Sequence, residues 1–228
     1  MENKIEKSPE LARVIADLTG DGHLQYDGKR GVIYFYSKNL NVIKSFNKRF
    51  STLFNINGKI RKVKYTGKAF TLRFVVYFCA KHIARILYDM GTPAGNKTNN
   101  GFSIPEWILN GNKKIKRKYL QGIYSSEGSV YPTKIENGFR WRIEMEQWKN
   151  LRIKNEGIKY LSQIKKLLSV FGIESSPPRF GKKQIRKDGS KSIATRIDIE
   201  KKYFKRFYDE IGFDDKLKNK RLLNAIAG

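Results

Sequence analysis

The sequence contains very few of the residues that support disulfide, zinc or histidine chemistry. Its 228 residues include one cysteine and two histidines. A single cysteine excludes a disulfide within the chain and the paired thiolates of a structural zinc site. We expect Cys79 to be a small buried apolar residue on a helix.

Long apolar runs are also missing from the sequence. No segment reaches the ~18 consecutive apolar residues that a membrane-spanning helix needs. Met1 leads into charged residues, which argues against a secretory signal. The sequence therefore predicts a soluble intracellular protein without a membrane partner.

Acidic residues are scarce relative to basic ones, with 21 Asp and Glu against 47 Lys and Arg. The resulting formal net charge of +26 far exceeds the roughly 2 to 8 charges that keep a small domain soluble. Such an excess opposes compaction and favours a polyanionic partner. Nucleic acid is the leading candidate, and an anionic membrane surface is the second. Because 39% of the residues are hydrophobic, we expect a folded chain.

Two nine-residue segments of the chain resemble each other: VIADLTGDG at residues 14–22 and LQGIYSSEG at residues 120–128. Each is an apolar helical stretch that ends in an acid and a glycine, Asp21-Gly22 in the first and Glu127-Gly128 in the second. Each also carries small residues four apart, which let two helix backbones approach closely: Ala16, Gly20, Gly122 and Ser126. A duplicated helix that delivers one carboxylate from each copy predicts a two-fold site at a helix pair.

The hydrophobic periodicity predicts the same order of elements twice. In the first half we expect helices at 9–20, 39–54 and 77–90. We expect one strand on each side of a turn at 27–31, and two further strands at 58–65 and 69–76 that are joined at Gly67. In the second half we expect helices at 115–126 and 156–171 and a final helical region broken near Gly212. We expect a strand that leads into a turn at Asn137-Gly138, followed by strands at 139–147, 178–186 and 192–200. The predicted domains are residues 1–94 and 115–228, with a surface linker at 95–114 that is rich in Asn, Gly and Lys.

The two acids carry the chemical prediction. If the two helices pack side by side in the same sense, Asp21 and Glu127 meet at their C-terminal ends. The helix dipole and the second carboxylate make this position unfavourable for an acid. A hard divalent cation with oxygen ligands would compensate. Carboxylates together with phosphate oxygens are the ligands of metal-assisted phosphodiester hydrolysis.

The two segments resemble the LAGLIDADG motif of homing endonucleases, and the similarity is closest to single-chain, two-motif archaeal intron-encoded members. The second copy is the better match, because the first has Ala16 where glycine is usual and Thr19 where the motif has Asp. The acid and the following glycine are intact in both copies. The order of predicted elements extends the resemblance over almost the whole chain.

The resemblance implies an α+β fold of two pseudo-symmetric αββαββα halves. The halves would pack through the motif helices, and their antiparallel sheets would form a saddle on double-stranded DNA. It also implies a monomer that hydrolyses both strands of a long asymmetric target with Mg²⁺ or Mn²⁺, with Ca²⁺ as a non-catalytic substitute. Such cutting would initiate intron mobility in the cytoplasm of a prokaryote. Intron RNA is a further candidate partner.

The resemblance also assigns roles to individual residues. Asp21 and Glu127 would be metal ligands, helped by the backbone carbonyls of Gly20 and Ser126. Family members place basic or amide residues around the cleavage centre, often a lysine after the second strand.

Lys38 occupies that place in the first half and would stabilise developing phosphate charge or orient water. The second half has Asn155-Glu156 there, an acid where a base is expected, so Lys154 is the candidate substitute.

The predicted strands carry basic residues that alternate with apolar ones, so that one face of each sheet can pack on helices while the other meets DNA in the major groove. Many of these residues would contact phosphates, which position the protein without specifying sequence. The predicted DNA contacts are Lys29, Arg30, Lys59, Arg61, Lys62, Arg73, Arg140, Arg142, Lys182, Lys183, Arg186 and Arg196.

Three other functions fit parts of the sequence. A non-cleaving RNA maturase or DNA-binding regulator could share the fold, but loss of an acid would be its signature and both acids are present. An intein endonuclease is disfavoured because the chain starts at Met1 and lacks a His-Asn splicing end. A membrane-surface protein fits least well, since the charge lies on strands as much as on helices.

Overall fold

A computed structural model describes residues 5–66, 70–136 and 138–227. The chain divides into two compact units, Met1–Gly95 and Asn96–Gly228. Each unit contains a four-stranded antiparallel sheet. No helix in these described ranges is long and apolar enough to cross a membrane.

The first unit begins with a helix whose N-cap, Ser8, accepts a hydrogen bond from the Leu11 backbone N–H at 3.2 Å. Its elements are α1 (Pro9–Thr19), β1 (Gly22–Tyr26), β2 (Gly31–Ser37), α2 (Leu40–Phe54), β3 (Lys59–Thr66), β4 (Phe70–Cys79) and α3 (Lys81–Asp89). Its core is aromatic, with Phe35, Phe46, Phe50 and Phe78 buried and in ring contact.

The second unit repeats this order and adds elements at both ends. The elements of the second unit are α4 (Glu106–Leu109), α5 (Lys113–Glu127), β5 (Gly128–Ile135), β6 (Gly138–Asn150), α6 (Lys154–Ser169), β7 (Arg179–Ile185), β8 (Lys191–Ile199), α7 (Phe204–Glu210) and α8 (Lys216–Ala227). Tyr119 of α5 and Tyr160 of α6 are fully buried and share a hydrogen bond of 2.9 Å between their hydroxyls. A short 3-10 turn at Leu151–Ile153 precedes α6.

The two sheets have the same topology, with strand orders β1-β2-β4-β3 and β5-β6-β8-β7. Gly22 pairs with Phe35, which pairs with Val76 on its other side. Gly128 pairs in the same way with Met145, which pairs with Ile197. The α+β class and the two pseudo-symmetric halves predicted from the sequence are therefore confirmed.

The end of β4 differs from the prediction of a helix at 77–90. Residues 77–79 continue the strand, because Tyr77 and Cys79 pair with Tyr34 and Val32 of β2. Pairing with a neighbouring strand outweighs the apolar spacing that suggested a helix. Cys79 is consequently an exposed strand residue, not a buried helical one.

The segment predicted as a surface linker contains structure of its own. Ile104 and Ile108 are buried, and the Asn150 backbone N–H donates to the Thr98 carbonyl at 2.8 Å. The boundary between the units falls at Gly95–Asn96, and the residues after it pack on the second unit. The turn residues predicted at Gly67 and Asn137 lie outside the described residues.

Candidate functional site

The first acid stands directly after a helix that is buried on all sides. Every residue from Leu11 to Thr19 is buried, including the predicted interface residue Ala16. Gly20 is the C-cap and is buried too, and its N–H donates to the Ala16 carbonyl at 3.0 Å. Asp21 is exposed, and its backbone carbonyl accepts from the Tyr36 N–H at 3.3 Å. The backbone of the acid is thus fixed by β2 while its side chain reaches solvent.

The second acid, Glu127, is the last residue of α5 and is half-buried. Gly122 is buried on the same helix, and Ser126 is half-buried with its Oγ donating to the Gly122 carbonyl at 3.1 Å. Gly128 is the C-cap and its N–H donates to the Tyr124 carbonyl. Of the small residues predicted to form a helix interface, Ala16 lies on α1, Gly20 is its C-cap, and Gly122 and Ser126 lie on α5. The pairing of the two helices stays a prediction.

The glycine after each acid is required by a close approach of strand and helix. A Cβ atom at Gly22 would lie 2.6 Å from Leu18 Cα, and one at Gly128 would lie 2.5 Å from the Tyr124 carbonyl oxygen. Both clashes are with the backbone of the preceding helical turn, which cannot move aside. The acid-glycine pair therefore allows the chain to leave the helix and enter the first strand at once.

We expect Gly128→Ala to destabilise the second unit by about 1–3 kcal/mol, because the added methyl group forces a backbone shift. Urea unfolding followed by tryptophan emission would measure this loss, since Trp107, Trp141 and Trp148 all lie in the second unit. An unchanged unfolding midpoint would show that the helix end has room for a side chain.

The end of α5 also receives a lysine that the sequence did not reveal. Lys218 of α8 donates from Nζ to the carbonyl oxygens of Ser125 at 2.6 Å and Gly128 at 2.7 Å. Only the folded arrangement brings this residue beside the acid-bearing helix, because it lies far away in the sequence.

The two lysines predicted to assist catalysis occupy different positions in their units. Lys38 is exposed and follows β2 directly. Lys154 is exposed at the first position of α6, with Nζ 5.3 Å from the centre of the Phe180 ring. Phe35 and Met145 occupy equivalent positions in the two sheets. Lys38 lies three residues after Phe35, so its equivalent in the second sheet is Trp148, three residues after Met145. The extra residues of β6 and the 3-10 turn carry Lys154 beyond that position.

On the first sheet, the strands present an aromatic centre with basic residues around it. Tyr34 stacks with Tyr36 and Tyr77, and the Arg61 guanidinium lies 4.8 Å from the centre of the Tyr77 ring. The predicted contacts on this unit are exposed except for half-buried Arg73: Lys29, Arg30, Lys59, Arg61, Lys62 and Arg73. Strand alternation places Lys59, Arg61 and Arg73 on the face of Tyr77, whereas Lys62 pairs with Phe74 on the opposite face.

The outer face of the second sheet carries arginines that are paired with carboxylates. Arg196 forms ion pairs with Glu146 and, at 3.9 Å, with Glu144. Arg142 lies 3.7 Å from Asp198.

Arg179 contacts both Asp198 and Glu144. Burial raises the pKa of the Glu144 carboxyl, and Arg196 opposes this shift. Two predicted DNA contacts, Arg142 and Arg196, are therefore held in a fixed network by acids of their own sheet.

The remaining predicted contacts on the second unit have mixed surroundings. Arg140, Lys182 and Lys183 are exposed. Lys183 follows an irregularity in the β7–β8 pairing and lies opposite Ile193. Arg186 is half-buried and donates to Thr98 Oγ1 at 2.9 Å. Arg186 thus also ties the start of the second unit to its sheet.

At each acid, considered separately, the available donor atoms are oxygens of the carboxylate and of neighbouring backbone carbonyls. This donor set suits Mg²⁺, Mn²⁺ or Ca²⁺ and not a soft metal. Among the residues that the structure describes, no three His, Cys, Asp or Glu side chains cluster as a metal site. A divalent cation held here would therefore complete its shell with carbonyls, water or phosphate oxygens.

Comparison with known proteins identifies a family domain in the second unit and related segments in larger proteins. Residues 114–212 match the LAGLIDADG-like domain. Replication factor C small subunit of Methanocaldococcus jannaschii is 32% identical over 75% of this chain and 9% of that protein. tRNA-splicing ligase RtcB of Pyrococcus furiosus is 26% identical over 83% and 19%, and DNA-directed RNA polymerase subunit Rpo1N of M. jannaschii is 28% identical over 91% and 16%. The chain spans between 9% and 20% of the length of the curated relatives it matches.

Two solved structures share the fold over nearly the whole chain. The homing endonuclease I-WcaI bound to its DNA recognition sequence matches with a TM-score of 0.60 at 15% identity, covering 96% of this chain and 87% of that chain. The N-terminal LAGLIDADG domain of DUF199/WhiA matches with a TM-score of 0.51 at 11% identity, covering 97% and 90%. At these identities the matches establish a common fold.

Proposed function

We propose that this chain, which belongs to the LAGLIDADG family, is a site-specific double-strand DNA endonuclease that hydrolyses phosphodiester bonds with a divalent cation. The observation that carries the proposal is the repeated helix end: Asp21-Gly22 and Glu127-Gly128 each lead straight into the first strand of a sheet. In a chain of net charge +26, a pair of such ends suits a substrate of phosphates.

The residues proposed to hold the cation are Asp21 and Glu127, with the carbonyls of Gly20 and Ser126. A bound Mg²⁺ would supply charge neutralisation at the scissile phosphate and a more acidic water. Lys38 and Lys154 are proposed to lie near the phosphate as cations that stabilise developing charge. Both lysines are exposed and therefore accessible to a bound duplex.

The two sheets are proposed to bind DNA through different chemistry. The first offers tyrosine faces and exposed lysines and arginines that suit phosphate contact and stacking. The second offers Arg142 and Arg196 held by carboxylates, and a guanidinium held in place is suited to bidentate contact with guanine. I-WcaI, whose fold this chain shares, is bound to its DNA recognition sequence.

A role in mobility is supported by where related segments occur. A replication factor subunit, a tRNA ligase and an RNA polymerase subunit have no activity in common by name, yet each contains a segment similar to this chain. A module that recurs inside proteins of different function fits an enzyme whose cutting of DNA allows its own gene to be copied into the cut site during repair. We therefore propose that cutting initiates mobility of the sequence that encodes the chain.

The first test selects cleaved duplexes from a randomised DNA library, in Mg²⁺ or in EDTA. The second test asks whether the uninterrupted host gene, at the junction where the insertion would lie, is cleaved under the same two conditions. We expect both strands of one long site to be cut in Mg²⁺ only. Tight, sequence-specific binding without cutting would instead favour a DNA-binding regulator, and binding of intron RNA in its place would favour a maturase.

DNA binding should weaken steeply with salt. If the faces contact about 6–10 phosphates, the plot of log binding constant against log salt should have a slope of about −5 to −9. Fluorescence anisotropy with a labelled duplex in Ca²⁺ would measure this slope. A flat response would contradict a phosphate-dominated interface.

A further inference from the structure

Helix α8 brings a fixed positive charge to the end of the helix that carries Glu127. The Lys218 amine bridges the carbonyl oxygens of Ser125 and Gly128. These two residues stand on either side of Ser126 and Glu127 in the sequence. The amine therefore joins the last turn of α5 to the first residue of β5, with the acid between its two anchors.

The start of α8 is itself held in place, so Lys218 is not a freely moving surface lysine. The Asp214 backbone N–H donates to Ser125 Oγ at 2.9 Å. Asp215 accepts from the Leu217 and Lys218 backbone N–H groups at 2.7 and 3.1 Å. Further along the helix, Leu222 is fully buried. These contacts fix the backbone from which the lysine extends.

Electrostatics give this contact a specific effect. The last carbonyls of a helix carry partial negative charge, and the Glu127 carboxylate adds a full one at the same end. A lysine that donates to those carbonyls offsets both charges, and charge-assisted hydrogen bonds are about twice as strong as neutral ones. The contact therefore stabilises the last turn of α5 and the start of β5 before any cation binds.

The first unit has a different structure at the equivalent place. After α3 the chain forms an isolated bridge between Ala94 and Leu24 of β1, and the Gly95 N–H donates to the Leu24 carbonyl at 2.9 Å. The residues of this segment, 90–95, include no lysine or arginine. In the second unit α8 packs against β5 instead. Residues 90–95 therefore offer no basic side chain corresponding to Lys218 of α8.

We propose that Lys218 is a positioning residue for Glu127, which sets the geometry and charge of the second acid-bearing helix end. This inference rests on the proposed nuclease function for its catalytic consequence. Lys218 acts through the backbone of Ser125 and Gly128, so its loss should alter catalysis without weakening DNA binding.

The experiment compares Lys218→Met with Lys220→Met, a matched loss of one charge from an exposed lysine of the same helix. Cleavage at saturating DNA should slow by about tenfold or more in Lys218→Met only, as for groups that orient a metal ligand. DNA affinity in Ca²⁺ should be the same in both variants. Lys218→Arg should restore most of the rate, because it keeps the charge and the donors.

A second readout needs no cleavage. Hydrogen exchange of the Gly128 amide, which donates to the Tyr124 carbonyl, should be at least tenfold faster in metal-free Lys218→Met than in Lys220→Met. If Lys218→Met does not fold, Lys218→Gln replaces it, with an amide donor and no charge. Equal cleavage rates in the Met and control variants, or rates that simply follow the melting temperature across all variants, would overturn the proposal. A wild-type protein that cuts no DNA would overturn the nuclease function instead. The exchange rates would still test whether Lys218 stabilises the end of α5.

Discussion

Replacing Glu127 by glutamine is expected to leave specific DNA binding intact and to slow strand cleavage by at least about 100-fold. The amide keeps the size of the side chain but loses the negative charge that would hold a divalent cation. Losing even one preorganised charge-stabilising group typically costs about 10²–10³ in rate, and loss of a metal ligand should cost no less. Asp21→Asn should behave in the same way at the first helix end.

The matched control is Glu174→Gln, because Glu174 is an exposed acid of the second unit that lies outside the acid-glycine motif. Single-turnover cleavage in Mg²⁺ and binding by anisotropy in Ca²⁺ separate the two effects. If Glu127→Gln cuts both strands at the wild-type rate, the paired-acid mechanism is wrong. If binding is lost together with cleavage, the acid supports the fold of the helix end and a cation-holding role is unsupported.

The acid-glycine ends were predictable because they depend on local chemistry. Apolar periodicity places α1 and α5, and the glycine is explained by a contact within four residues, between Gly22 and Leu18 or Gly128 and Tyr124. The strict alternation in β6 likewise reveals which side chains face the core, since Ile143 and Met145 are fully buried. Features that depend on sequence neighbours could be read from the sequence.

Features that depend on pairing between distant strands could not be predicted. The carboxylate partners of Arg142 and Arg196 were not foreseen, because they depend on the register of β6 against β8, which sets Glu146 opposite Arg196 and Glu144 opposite Asp198. The presence of Glu144 beside Arg142 on one strand face was the available signal. Sequence alone gives no register between strands separated by a helix and a hairpin, so the ion pairs remained hidden.

The burial of Lys149 is another feature that could not be predicted from the sequence, because a lysine at the end of a strand is ordinarily exposed. Its side chain is fully buried. Nζ donates to the carbonyl oxygens of Lys97 at 2.6 Å and Asn100 at 2.9 Å, and lies 3.7 Å from the centre of the Phe102 ring. The lysine thus anchors the segment that was expected to be a linker.

We expect Lys149→Met to destabilise the second unit by about 4 kcal/mol at pH 9.5, because the carbonyls of Lys97 and Asn100 lose the hydrogen bonds donated by the buried amine, at about 1–3 kcal/mol each. The loss should be about 2 kcal/mol smaller at pH 7. The pKa of the Lys149 amine is lowered to about 8, mainly by burial and also by the nearby charge of Lys97, while Glu156 opposes the shift. At neutral pH the wild-type protein therefore already carries the cost of a buried charge, which the methionine variant avoids.

The direction in which the stability of the wild-type protein changes with pH follows from proton binding. Below pH 8 the amine is charged in both the folded and the unfolded chain. Between pH 8 and the ordinary lysine pKa near 10.5, the unfolded chain binds more protons, so the stability of the wild-type protein rises with pH in this window. Above pH 10, ionisation of tyrosines in the unfolded chain opposes the rise, since burial raises the pKa of Tyr124 and Tyr160.

Urea unfolding followed by tryptophan emission between pH 7 and pH 9.5 would measure both effects, because all three tryptophans lie in the second unit. Lys166→Met, which removes an exposed lysine from α6, is the control and should follow the pH dependence of the wild-type protein. The difference in unfolding free energy between wild type and Lys149→Met should grow steadily with pH. A difference that is constant or shrinks with pH would mean that the Lys149 amine is charged throughout this range, and that its hydrogen bonds outweigh the cost of its burial.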